Sequence, residues 1–253
     1  MEFLELTGAN GDAELLACRF DRPPGSAPLA ILYLHGFGSN QSGEKAEFFR
    51  ARALARGWAF CSFDFRGHGA SEGTMRELTF SRNLADVAAV RELVARRGIE
   101  RVALFGSSMG GAVALWHAAL APEGVVATAQ IAPALGMAQA MERWAGPERL
   151  ERWRREGSIR FEGQLATAEL DWELMDDLRR YGSAELAARH RAPTVIFQGQ
   201  LDNSVDWRDV AAFAAAAPRG TVDLRLFPDG DHRLIDRKEQ LWESAAELFA
   251  RHL

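Results

Sequence analysis

An apolar run in this sequence leads directly into a glycine-rich turn, which limits the folds that the chain can adopt. Residues 102–105 read VALF, residues 106–111 read GSSMGG, and residues 112–121 have the composition of a helix. A strand, a tight turn and a helix in this order are typical of sheets whose strands run parallel. The turn is therefore expected at the carboxyl end of its strand, where open α/β sheets bind their ligands.

Ser108 is the residue of this turn that is suited to act as a nucleophile. A serine hydroxyl needs an exposed position, a base, and donors for the developing oxyanion. Gly106 and Gly110 lie two residues before and after Ser108. Small residues at these offsets let neighbouring backbone pass close to a serine on a strained turn. Ser107 has bulky residues at the same offsets, which excludes it.

Apolar runs of strand length recur along the chain and alternate with helical segments. Strands are predicted over residues 2–7, 13–20, 29–34, 58–63, 102–105, 125–131, 194–197 and 222–227, and helices over residues 43–56, 82–97, 112–121, 207–216 and 236–251. The first two strands flank a hairpin turn signal at Asn10. Continuously apolar strands indicate a sheet that is covered on both faces. We therefore predict an α/β fold with about eight mostly parallel strands and helices on both faces.

Residues 134–190 break this alternation, because they contain no convincing strand. A helical insertion of this length between two sheet strands predicts a small cap over one end of the sheet. The core then comprises residues 1–133 and 191–253. The candidates for a substrate pocket in the cap are Met137, Met141 and Trp144. At helical spacing these side chains are equally consistent with ordinary packing, and both interpretations stay open.

Two further residues are predicted to complete a catalytic triad with Ser108. Asp202 follows the predicted strand over residues 194–197, and His232 lies in the loop after the last predicted strand. The order serine, aspartate, histidine along the chain differs from that of chymotrypsin-like and subtilisin-like proteases. Asp206 is the alternative acid, although it is better placed to cap the helix that follows it.

Two backbone amides are predicted to stabilise an oxyanion. One is that of Met109, directly after the candidate nucleophile. The other is that of Phe37, in the HGFG segment at the end of the predicted strand over residues 29–34. In the same segment His35 is interpreted as structural.

Composition narrows the partners of this chain. The net charge of −5 argues against a nucleic-acid partner, and no apolar run reaches the roughly 18 residues of a membrane span. The acidic start of the sequence predicts neither a signal nor a transit peptide, and hence a cytoplasmic protein. No cluster has metal-ligand spacing, so neither a metal nor a cofactor is predicted. Cys18 and Cys61 are predicted to be buried free thiols.

Together these motifs resemble those of α/β-hydrolases. The resemblance spans residues 28–250 and rests on HG at residue 35, DFRGHGAS at residue 64, the GSSMGG turn, and DHR at residue 231. It is strongest to the mitochondrial abhydrolase-domain proteins that act as acyl-protein thioesterases and acyl-glucuronide esterases, and to their bacterial relatives. A weaker similarity extends to cinnamoyl and feruloyl esterases and to monoacylglycerol lipases.

The resemblance implies a serine hydrolase of the carboxylesterase or thioesterase type. Its substrate is expected to be a small acyl ester or thioester, cleaved through an acyl-enzyme on Ser108. Two alternatives remain open at this point. One is other chemistry on the same fold, such as carbon–carbon bond hydrolysis, perhydrolysis or peptide hydrolysis. The other is a binding protein without turnover, since a fold does not fix a function.

Overall fold

The computed structural model describes residues 1–8, 11–163 and 166–253. Its strands are β1 (Glu2–Thr7), β2 (Ala13–Asp21), β3 (Ala30–Leu34), β4 (Ala59–Phe63), β5 (Val102–Ser107), β6 (Val125–Ile131), β7 (Ser158–Glu162), β8 (Thr167–Asp171), β9 (Thr194–Gly199) and β10 (Val222–Phe227). Its helices are α1 (Glu44–Ala55), α2 (Phe80–Arg96), α3 (Met109–Leu120), α4 (Met137–Glu156), α5 (Glu173–Leu178), α6 (Ser183–Arg189), α7 (Trp207–Ala216) and α8 (Lys238–Arg251). The predicted turn residue Asn10 lies outside the described residues.

Eight strands form one sheet in the order β1-β2-β4-β3-β5-β6-β9-β10. The pairs β1–β2 and β2–β4 are antiparallel, and every pair from β4 to β10 is parallel. Strands β3, β4, β5 and β9 are buried along their whole length, because helices cover both faces of the sheet. The predicted α/β fold and its mostly parallel eight-stranded sheet are confirmed.

Two apolar clusters lie on opposite faces of this sheet. Successive residues of β3 alternate between them, as the two-residue period of a strand requires. In the cluster beneath α1 and α8, the ring of Phe49 stacks on that of Phe105 with centroids 4.3 Å apart, and Trp242 stacks on Phe49. The other cluster joins α2, α3 and α7 to the segment over residues 134–190. The sheet is thereby fixed between two layers of helices.

The segment over residues 134–190 contains a β-hairpin, so the expectation that it lacks strands was wrong. Strands β7 and β8 pair antiparallel as a separate two-stranded sheet, with Ile159 opposite Leu170. In each strand the alternation of apolar and polar residues is short and is flanked by charged residues. The sequence therefore gives only a weak strand pattern here. Before the hairpin, α4 is kinked at Gly146, which has a φ of 68° and directly precedes Pro147. Below, this segment is called the insertion.

Cys18 on β2 and Cys61 on β4 are buried free thiols, as predicted. Among the helices of the described residues, none is long and apolar enough to cross a membrane.

Candidate active site

Ser108 lies between β5 and α3 with a φ of 54° and a ψ of −120°, a backbone conformation that is costly for a residue with a side chain. The Ser108 amide donates to Ile131 O at 2.8 Å, and its carbonyl oxygen accepts from the amides of Ala112 and Ala134. These bonds to β6, α3 and the start of the insertion hold the strained residue at the carboxyl edge of the sheet.

The glycines around Ser108 are required by space. A Cβ on Gly110 would lie 2.3 Å from Leu34 O, and one on Gly106 would lie 2.5 Å from Gly110 O. Both distances are far below van der Waals contact. The close passage of backbone inferred from the sequence is therefore present on both sides of the serine.

Asp202 and His232, two of the residues named from the sequence, are in direct contact. His232 Nδ1 lies 2.8 Å from Asp202 Oδ2, and the Asp202 side chain is fully buried. The other carboxylate oxygen accepts from the amides of Ser204 and Val205 at 2.8 and 2.9 Å. Burial by itself raises the pKa of Asp202, but the hydrogen bonds from His232, Val205 and Ser204 outweigh it and lower that pKa. At neutral pH Asp202 is therefore ionised, and its orientation is fixed by these hydrogen bonds.

Asp206, the alternative acid, serves a different purpose. Its side chain accepts from the amide of Arg208 at 2.9 Å and caps the N-terminus of α7. Of the two carboxylates on this loop, Asp202 is the one that contacts His232.

Ser108 and His232 line the same cavity of about 100 Å³. The hydrogen bonds of the described residues include none between Ser108 and His232. Such bonds are often long in free enzymes and shorten when substrate binds. Phe37 also lines this cavity, and its ring packs edge-on against that of Phe161 in β7 at 5.4 Å. The hairpin of the insertion thus lies against the loop beside Ser108.

The backbone amides of Phe37 and Met109 were predicted to bind an oxyanion. Within the described ranges neither donates a hydrogen bond to another protein group. The loop of Phe37 is fixed by His35, whose Nε2 accepts from the Phe65 amide at 3.1 Å. That bond requires a neutral ring with its proton on Nδ1, which lies 2.8 Å from Gly36 O. Burial lowers the pKa of His35 to about 4, so the ring is neutral at physiological pH, and it is structural as interpreted.

The loop over residues 64–71 packs beside the loop that contains Phe37. Asp64 accepts from the amides of Gln41 and Ala70 at 2.6 and 2.9 Å. Arg66 forms a buried ion pair with Asp86 of α2, with 2.7 Å between Arg66 Nε and Asp86 Oδ1. The glycines and charges of this loop hold it in place beside the cavity.

The three predicted pocket residues do not line the cavity at Ser108. Met137 lines a separate cavity of about 110 Å³, together with Trp116 and Tyr181. Trp144 packs against Phe161 with ring centroids 4.7 Å apart, and Met141 is a half-buried residue at the edge of the core. A lining residue that sequence reasoning missed is Lys45, at the start of α1.

A sheet of this order, with serine, histidine and aspartate at its carboxyl edge, defines the α/β-hydrolase class. The pattern of the alpha/beta hydrolase family matches residues 31–248, and the chain belongs to this family.

Relatives in this family include esterases and thioesterases. The chain is 28% identical over 234 residues to the mitochondrial palmitoyl-protein thioesterase ABHD10 of Mus musculus. The aligned region covers 90% of this chain and 76% of the mouse protein. It is 35% identical over 105 residues to a Mycoplasma genitalium protein described as an esterase or lipase, covering 41% of this chain and 37% of that protein. The expected resemblance to mitochondrial abhydrolase-domain thioesterases is confirmed.

A crystal structure from Agrobacterium vitis S4, of a protein described as a hydrolase, has the same fold. It superposes with a TM-score of 0.87 at 26% identity, over 98% of both chains. The chain is therefore a member of a hydrolase family whose relatives include a thioesterase and a protein described as an esterase or lipase.

Proposed function

We propose that this protein is a serine hydrolase that cleaves carboxylic ester or thioester bonds through an acyl-enzyme on Ser108. The observation that carries the proposal is the arrangement around one cavity. Ser108 stands there on a strained turn, and His232 faces the same space with its Nδ1 held by the buried Asp202. The thioesterase and esterase relatives support this choice of bond over other chemistry on the fold.

The hydrogen bond to Asp202 sets the role of His232. It keeps the ring proton on Nδ1, so Nε2 is left to accept a proton. As Ser108 Oγ attacks the substrate carbonyl carbon, its proton passes to Nε2, and Asp202 stabilises the imidazolium that forms. The proton then passes to the departing alcohol or thiol, and the acyl group remains on Ser108 as an ester.

Hydrolysis of the acyl-enzyme repeats these steps with water. His232 takes a proton from the water, the resulting hydroxide attacks the acyl carbonyl, and the carboxylic acid leaves as Ser108 Oγ recovers its proton. In both steps the amides of Phe37 and Met109 bind the negative oxygen. Each such donor is worth about 3 kcal/mol of transition-state stabilisation.

The proposed substrate is a small acyl ester or thioester, and the cytoplasm is the proposed location. The mouse relative is named as mitochondrial, which is a statement about that protein.

A fluorophosphonate probe tests the nucleophile, because it reacts covalently with an activated serine. It should label the wild-type protein but not Ser108→Ala, while the neighbouring Ser107→Ala should still be labelled. His232→Ala should abolish turnover of p-nitrophenyl acetate, since no base then accepts the serine proton. Persistent labelling of Ser108→Ala would contradict the proposal. Labelling of Ser108 without turnover of any ester or thioester would favour other chemistry.

A further inference from the structure

Lys45 connects the two loops that carry the proposed nucleophile and base. Its ammonium donates to Ser107 Oγ at 2.9 Å and to the carbonyl oxygen of Arg233 at 3.1 Å. Ser107 directly precedes Ser108, and Arg233 directly follows His232. One side chain on α1 therefore touches the residue next to each member of the proposed pair.

These two loops are otherwise separate. They follow β5 and β10, and two other strands, β6 and β9, lie between those strands in the sheet. No further hydrogen bond of the described residues joins residues 106–111 to residues 228–235. The distance between Ser108 and His232 thus depends on Lys45 and on the general packing of the sheet.

The environment of Lys45 is unfavourable for a positively charged side chain. Within the described ranges no carboxylate lies within 4 Å of its ammonium, whereas the other lysine of the chain, Lys238, pairs with Glu44 at 2.7 Å. Burial and the nearby Arg233 lower the pKa of Lys45 to about 8, against the weaker opposite effects of Asp231 and Asp202. A half-buried ammonium that has no carboxylate partner is less favourable than a paired or fully exposed one.

We propose that Lys45 is a positioning residue, which ties Ser107 to the Arg233 carbonyl and thereby sets the separation of Ser108 and His232. This inference rests on the proposed function. Attack on a carbonyl is sensitive to such positioning, since a displacement of about 1 Å can slow the reaction about 100-fold.

Substitution of Lys45 separates positioning from simple structural support. Lys45→Met removes both hydrogen bonds and the unpaired charge. We expect kcat for p-nitrophenyl acetate to fall about 10-fold or more with KM changed less than about 2-fold. The thermal midpoint should change little, because the lost charge is half-buried and has no carboxylate partner. Lys45→Arg, which can still donate to both acceptors, should recover part of kcat. The matched control is Lys238→Met, on the exposed ion pair.

A double-mutant cycle locates the effect. Ser107→Ala removes one acceptor, so it should lower kcat less than Lys45→Met does. If the two residues act through one connection, the loss in the double variant is smaller than the product of the single losses. Should Lys45→Met fail to fold, Ser107→Ala and Lys45→Arg still provide the kcat and KM readout.

Three results would overturn the inference. The first is an unchanged kcat in Lys45→Met, and the second is multiplicative losses of kcat in the cycle. The third is a variant in which kcat is unchanged and KM rises for an ester with a carboxylate on its leaving group, but not for the methyl ester of the same compound. The last result would make Lys45 a substrate-binding residue instead. Labelling of Ser108→Ala by the fluorophosphonate probe would refute the proposed function itself, and is therefore distinguishable from all three.

Discussion

Ser108 is held in a backbone conformation that few residues adopt, and its neighbours show what permits it. Backbone oxygens of Leu34 and Gly110 occupy the space that side chains on Gly110 and Gly106 would need. The sequence pattern reflects this steric requirement, because only glycine fits at both positions. The nucleophile candidate could therefore be predicted from six residues.

At the same scale, the two aspartates of one loop are predicted to differ sharply. Asp202→Asn should lower kcat by about 10³- to 10⁴-fold, because an amide no longer holds His232 in the tautomer that accepts a proton. Asp206→Asn should leave kcat and stability nearly unchanged, since asparagine caps a helix as well as aspartate does. Steady-state kinetics on a p-nitrophenyl ester and urea unfolding measure both. Comparable loss of kcat in the two variants would refute the assignment of the acid.

The sequence predicts the remaining residues of the site to different extents. The contact of Asp202 with His232 follows from chain order, because both lie in loops after neighbouring strands. Lys45 belongs to no motif, and its two acceptors lie 62 and 188 residues away along the chain. Only the packing of α1 against the sheet brings them together.

Among the elements, the hairpin of β7 and β8 is the one that sequence reasoning missed. Each strand has five residues, and charged side chains alternate with the apolar ones that face the core. Such short amphipathic segments resemble a charged helix or loop when read alone. The hairpin matters for function because Phe161 of β7 packs against Phe37, which lines the cavity at Ser108.

This contact predicts how the insertion limits the acyl group. The cavity of about 100 Å³ is smaller than the roughly 300–1,000 Å³ of typical ligand pockets, so short acyl esters should be preferred. Phe161→Ala should free the Phe37 ring and raise kcat/KM for p-nitrophenyl octanoate relative to acetate by about 10-fold. The control is Phe20→Ala, on β2. An unchanged ratio in Phe161→Ala would show that the hairpin does not set chain length.

For the whole molecule, the alternation of buried strands and helices was enough to predict the parallel sheet. The strand order was not, because it depends on which crossovers pack best rather than on any local pattern. Nor does sequence reveal that four histidines of the described residues lie buried. These are His35, His68, His117 and His190. Their burial has a consequence for the stability of the entire fold.

Burial lowers the pKa of His35, His117 and His190 to about 4, from an ordinary value of 6.5, and it also lowers the pKa of His68. Below pH 6.5 the unfolded chain therefore binds protons that the folded protein does not. The contribution of these histidines to the free energy of unfolding should accordingly fall as the pH drops from 6.5 to 4, and the raised pKa of the buried Asp86, about 6, opposes this change in part.

His117 tests this at a site away from the proposed triad, since it lies on α3 and burial is the main cause of its lowered pKa, followed by Arg91. In His117→Leu the free energy of unfolding should depend less steeply on pH between 6.5 and 4, because one proton fewer binds on unfolding. His252→Leu, at the exposed C-terminus, is the control and should keep the wild-type slope. Urea unfolding at half-unit pH steps gives both slopes. If His117→Leu follows the wild-type slope, protonation of this histidine does not contribute to acid unfolding.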